Sequence, residues 1–165
     1  MTPTDLDDAA QAMRAGDVVV IPTDTVYGLA AAADNSAGVE AMFRLKNRPV
    51  DVNVAVLVAD ADQARQYVDL GPAGEALADR YWPGPLTIVA VRHAVGSLAA
   101  GDDETLGVRC PDEAVARALA ERVGPVAATS ANLHGQDTPG RADAVADLFP
   151  DVSVVIDDGA RPGAA

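Results

Sequence analysis

The chain of 165 residues carries 25 acidic and 12 basic side chains, a formal net charge of -13, 49% hydrophobic residues and a single cysteine. Such a length is that of one domain, and the apolar share supports a sizeable core. No apolar run approaches a membrane span, one cysteine excludes an internal disulfide, and the acid excess argues against a broad nucleic-acid face, which needs basic groups to meet phosphates.

The N-terminus, Met1-Thr2-Pro3-Thr4-Asp5, lacks the basic start and apolar centre of a signal peptide, so a soluble cytoplasmic protein with no membrane association is expected. Leu6, Ala9, Ala10 and Met13 recur at helical spacing and Gly16 stands at a C-terminal cap, which predicts a helix over about 5–15. The β-branched run 17–21 predicts a buried strand ended by Pro22. Pro22-Thr23-Asp24-Thr25-Val26-Tyr27-Gly28-Leu29 then sets three hydroxyls and a carboxylate just past a strand's carboxyl end, where open α/β sheets bind ligands. The same residue types also make plain polar turns.

Asp34-Asn35-Ser36 offers helix caps, and Val39, Met42, Phe43 and Lys46 keep helical spacing over 37–46. The run 53–58 reads as a second buried strand, Asp60 caps a helix to about Val68, and Gly71-Pro72 opens another to about Trp82. Trp82-Pro83-Gly84-Pro85 is a rigid turn before a strand over 86–91; 96–103 is a small, polar loop; and 105–109 is a short strand presenting Arg109. The helix over 112–123 carries Glu113, Arg117, Glu121 and Arg122, read as a solvated face. Strand 126–129 runs into Ser130-Ala131-Asn132-Leu133-His134-Gly135, followed by a helix over 141–149 and a last strand over 152–156. Mixed strands and helices throughout imply an α/β architecture.

Lys46 is the single lysine among the 12 basic residues, in Arg44-Leu45-Lys46-Asn47-Arg48-Pro49. Pro49 ends a helix near that point, so three cations leave a helix end and enter an irregular turn. Part of that cluster complements the helix dipole. In so acidic a chain it is also a natural seat for a phosphate, with Arg48 as a fork and Lys46 as a compact point charge. Cys110, between Arg109 and Pro111, reads as a small buried hydrophobe. There is no P-loop or dinucleotide fingerprint, and His93 and His134 have no partners at zinc-site spacing.

Five segments together resemble one family: Pro22 to Leu29, Lys46-Asn47-Arg48-Pro49, Trp82-Pro83-Gly84-Pro85-Leu86-Thr87, Val108-Arg109-Cys110-Pro111 and Thr129-Ser130-Ala131-Asn132 are similar to the signature segments of the YrdC-like family of threonylcarbamoyl-AMP synthases. The similarity runs from about residue 10 to residue 159. It implies a single YrdC-like domain over 1–165, lacking the Ser-Thr-bearing strand that the family carries after the Asp-Gly turn. It also implies a twisted mixed sheet with surrounding helices enclosing a large, positively lined cavity.

The activity so implied joins L-threonine, bicarbonate and ATP, with Mg2+, into threonylcarbamoyl-adenylate and pyrophosphate. The product feeds a downstream tRNA threonylcarbamoyl-transfer complex, with weak tRNA binding a further implied property. By position in the family's pattern, Thr25, Arg109 and Ser130 hold threonine, Arg109 on its carboxylate. Arg48, Asn53, Thr105, the backbone at Ala128, and Thr138 face ATP. Lys46 sits between the ligands, and Asn132 orients the Ser130 loop or a phosphate oxygen, so that Lys46, Arg48, Ser130 and Asn132 form the catalytic set; no protein metal ligand is implied. Two other readings fit the same residues: a relative that binds a nucleotide or acts on another carbamate, and an RNA-binding module.

Overall fold

A computed structural model describes residues 3–47, 53–93, 98–133 and 135–162. Helix α1 (Pro3–Ala15) leads into β1 (Val19–Pro22) and β2 (Tyr27–Ala32), then α2 (Ser36–Leu45), β3 (Val56–Leu57), α3 (Ala61–Arg65), β4 (Val68–Asp69) and α4 (Gly71–Tyr81). There follow β5 (Ile88–Arg92), β6 (Thr105–Arg109), α5 (Ala114–Val123), β7 (Val126–Ser130), α6 (Ala142–Leu148) and β8 (Val154–Val155). All the strands join one mixed sheet in the order β4-β5-β6-β3-β7-β2-β1-β8.

The pleat sends alternate residues to opposite faces, and two cores result. Val19, Ile21, Ala30, Ala32, Leu57 and Val126 pack under α1 and α5 on one face. Val20, Leu29, Ala31, Val56, Leu106 and Val108 pack against α2, α4 and α6 on the other. Helices α1 and α5 cover the β8, β1, β2, β7 and β3 part of their face. Further along, Val89 and Val91 of β5 remain 69% and 64% exposed, so the β5–β6 side of that face is open. The site lies where covered sheet gives way to open sheet.

Strand β2 was not expected. Its residues Tyr-Gly-Leu-Ala-Ala-Ala are buried throughout. A strand covered on both faces shows no polar alternation, and alanine is a poor strand former. It pairs antiparallel with β1 and with β7, placing Gly28 beside Ser130 and Leu29 beside Thr129. Strand β3 is shorter than the expected 53–58, although Val58 N–H donating to Arg109 O (2.9 Å) and Ala128 N–H donating to Ala55 O (3.3 Å) carry the ladder past both its ends. Val68 closes no helix; it pairs with Arg92 at the sheet edge.

Glu113 corrects the solvated-face reading of α5. It is 8% exposed, caps α5 through Val115 N–H (3.2 Å) and pairs with Arg161 at 2.6 Å. Arg161 also reaches Asp158 Oδ2 (2.9 Å), and its guanidinium lies 5.8 Å from the Tyr27 ring centre. The Tyr27 hydroxyl donates to Gly159 O at 2.7 Å, and burial pushes its pKa up. These contacts strap residues 156–161 onto β2 and onto the head of α5. Arg161→Ala would leave Glu113 nearly buried without its cation and should cost about 3–5 kcal/mol. Tyr27→Phe, losing the hydroxyl's bond to Gly159 O and the one it accepts from Asp158 N–H, should cost about 1–2 kcal/mol. Urea denaturation of the two variants should show that order.

Candidate active site

Lys46 is the C-cap of α2 and is only 4% exposed. Its Nζ donates to Ser130 O at 2.6 Å and Asn132 Oδ1 at 2.9 Å, with Thr129 Oγ1 and Ser130 Oγ both at 3.3 Å. Among the described residues, these four oxygens hold the ammonium at the end of β7. The helix brings it there because Val39, Met42 and Phe43 bury one stripe of α2 in the core, and Asn47 then turns the chain at φ 51°. Asn132 ties the loop after β7 together: its Oδ1 accepts from Ser130 Oγ at 2.5 Å and its Nδ2 donates to Gln136 O at 2.6 Å.

Beside this cluster lies a hollow of about 100 Å³ lined by Thr23, Thr25, Gly28, Ala55, Thr87, Arg109, Ala128 and Ser130, among others. Small residues make its floor. A Cβ on Gly28 would sit 3.3 Å from Thr129 O, a tight contact that glycine avoids. Thr25, Arg109 and Ser130, the three residues assigned to threonine, all line this hollow.

A second hollow of about 230 Å³ shares Ala55 and Thr87 with the first and extends over the open sheet to Asn53, Val89, Thr105 and Gly107. Of the residues assigned to ATP, Asn53 and Thr105 line it, and both are held by Asp102: Asn53 Nδ2 donates to Oδ2 at 3.2 Å, and Thr105 donates through N–H (2.6 Å) and Oγ1 (3.0 Å). Those bonds from Thr105, with Glu104 N–H, hold the Asp102 carboxyl below the usual range.

Ala128 lines the first hollow; Thr138 is half-buried and lines neither. Arg48, from both the catalytic and the ATP sets, lies outside the described residues, as does His134. The described residues form two adjoining hollows and do not show the single large, positively lined cavity expected; Lys46 is not among the lining residues of either one.

Arg109 is already engaged within the protein. Its Nη2 donates to Asp24 Oδ1, and its Nε to Gly84 O at 3.2 Å. The paired side chains are only 14% and 12% exposed. Sequence reading saw Asp24 as one polar group in a ligand segment and gave it no partner, since its contact comes from residues far along the chain. Thr23 was likewise unassigned; its Oγ1 donates to Val26 O at 2.6 Å and accepts from Thr25 and Val26 N–H at 3.2 Å, which fixes the turn. Cys110 is buried as expected, and burial pushes its thiol pKa up. A thiol so held is a poor nucleophile.

A family model described as telomere recombination, spanning the Sua5, YciO and YrdC proteins, matches residues 11–165. The threonylcarbamoyl-AMP synthase of Bacillus subtilis is 39% identical over 158 residues, which is 92% of this chain and 45% of that protein. The synthase of Vibrio vulnificus is 33% identical over 93% of this chain and 86% of its own length. The crystal structure of Pyrococcus abyssi Sua5 complexed with L-threonine superposes with a TM-score of 0.86 at 36% identity, covering 94% of this chain and 47% of that one. The chain thus spans about half the length of several relatives it matches. The fold is that of an α/β protein built on a mixed sheet, with two hollows at its half-covered face as a candidate ligand site. The chain belongs to the Sua5/YciO/YrdC family.

The ammonium cluster carries a test of its own. Lys46→Ala strips the Ser130 carbonyl and Asn132 amide of their shared donor, and such a loss costs about 1–3 kcal/mol. Hydrogen exchange should quicken across residues 130–136 in that variant while α1 and α5 keep their protection.

Proposed function

We propose that this chain carries out threonylcarbamoyl-AMP synthesis, from L-threonine, bicarbonate and ATP. The observation that supports it most is the joining of two distant segments: the Lys46 ammonium is clasped by Ser130 and Asn132 at the rim of a hollow lined by Thr25 and Arg109. Relatives that carry the synthase name match over 92–93% of this chain, and a related Sua5 structure holds L-threonine.

In this reading the first hollow takes threonine, its carboxylate against Arg109 and its polar end near Thr25 and Ser130. The second takes the nucleotide over the open sheet beside Asn53 and Thr105, with Arg48 and Thr138 as further contacts. The threonine amine adds to bicarbonate with loss of water, giving a carbamate. A carbamate oxygen then attacks the α-phosphorus of ATP; a new P–O bond forms and pyrophosphate leaves with the electrons of the broken one. Such transfers depend on positioning and charge stabilisation more than on a protein nucleophile. That suits a site with an ammonium, guanidinium groups and hydroxyls. Mg2+ enters as part of the ATP substrate and neutralises phosphate charge; such an ion keeps several waters and takes few protein ligands. The hydroxyl and amide oxygens of Thr105 and Asn53 are hard donors compatible with it.

The product is an activated acyl-adenylate, to be consumed by a transfer to tRNA carried out by a downstream complex. A surface of net charge -13 favours handing over the small molecule above holding the tRNA itself. No described helix is long and apolar enough to cross a membrane.

Pyrophosphate release should require L-threonine, bicarbonate and ATP together. Lys46→Ala and Arg48→Ala should each lower it tens-fold or more, since charge-assisted bonds of about 1.5–3 kcal/mol are lost. ATP turnover indifferent to threonine would refute the assignment.

A further inference from the structure

Asp24 is paired with Arg109, a residue that lines the first hollow, and has no role in the reaction as drawn above. Its position is tightly determined. Thr23, 6% exposed, closes the turn with its side chain on Val26 O and on the Thr25 and Val26 amides, and its own N–H donates to Val26 O at 3.0 Å. Asp24 therefore leaves a fixed turn and meets Arg109, which lines the hollow. Arg109 is held from another side by Gly84 O, and Gly84 N–H in turn donates to Cys110 O at 2.8 Å. A guanidinium has five donors in a rigid plane. Two are committed to Asp24 and Gly84; Nη1 has no protein acceptor among the described residues and is not a buried, orphaned atom.

We propose that Asp24 is a positioning residue that clamps the Arg109 guanidinium, with Gly84 O, so that its open donors present to the carboxylate of the amino-acid substrate. This rests on the reading of the first hollow as the threonine site. An unclamped arginine has many rotamers, and fixing it beforehand spares the substrate the ordering cost on binding. The clamp acts on geometry, so an acceptor oxygen at the same place matters more than the negative charge. A resident counter-ion that the substrate had to displace would give the opposite behaviour: its removal would tighten binding.

Calorimetry of the full chain with L-threonine, and separately with ATP, distinguishes these. Asp24→Ala should weaken threonine binding about tenfold or more, as misplacement of a binding group does. Asp24→Asn, which keeps the acceptor, should stay within a few-fold of the parent. Asp24→Glu, which keeps the charge but moves the oxygens, should weaken binding as alanine does. ATP affinity should stay level in all three. Unchanged or tighter threonine binding in the alanine variant, or parental binding in the glutamate variant, overturns the clamp and leaves the synthase reading standing. Parallel losses for ATP and threonine would mark Asp24 as merely structural and also overturn it. If the parent chain binds no threonine, the assignment of the hollow falls and the clamp with it. Should the alanine variant fail to fold, the asparagine and glutamate variants decide between the outcomes.

Discussion

An ammonium group buried at the meeting of a helix end and a strand end organises this molecule's working part. Lys46 closes α2, and the oxygens of Ser130 and Asn132 close β7. A buried cation must be compensated by hydrogen bonds or it neutralises. The oxygens gathered around Nζ therefore hold the helix and the strand at one spacing. That spacing sets where Ser130 stands relative to Gly28, its cross-strand neighbour, and so sets the mouth of the first hollow.

The second constraint is the unequal cover of the sheet. One face is packed from end to end by α2, α4 and α6. The other is capped by α1 and α5 over its β8–β1–β2–β7–β3 part, leaving the β5–β6 side open. Arg109, Thr105, Ser130 and Thr87 reach a place where backbone is regular but no helix fills the space above it. A ligand there meets a rigid floor of glycine and alanine and a rim of hydroxyl, amide and guanidinium groups. Arg109 is already engaged by Asp24, so that guanidinium is charge-compensated before a ligand arrives.

Much of this was legible in the sequence, because the signals were local. Helix spacing and caps gave α1, α2, α5 and α6, and hydroxyl-bearing segments at strand ends marked the rim. Thr25, Arg109 and Ser130 converge as their motifs implied. What stayed hidden depended on distant partners. Strand β2 is alanine-rich and covered on both sides, so no periodicity betrayed it. Glu113 looks like any helix surface acid until Arg161 arrives from the chain's far end. Asp24 and Arg109, likewise, are chemically ordinary apart from each other.

The pairing of β2 with β7 has a bearing on how the protein comes into being. Gly28 and Ser130 are neighbours in the sheet but lie far apart along the chain, and contacts of such separation form late and slowly. While the polypeptide is still emerging from the ribosome, Lys46 is made long before the oxygens that will hold it. Binding competence should thus appear abruptly, once residues 126–132 have joined the sheet, with no partial capacity to hold ligand at earlier lengths.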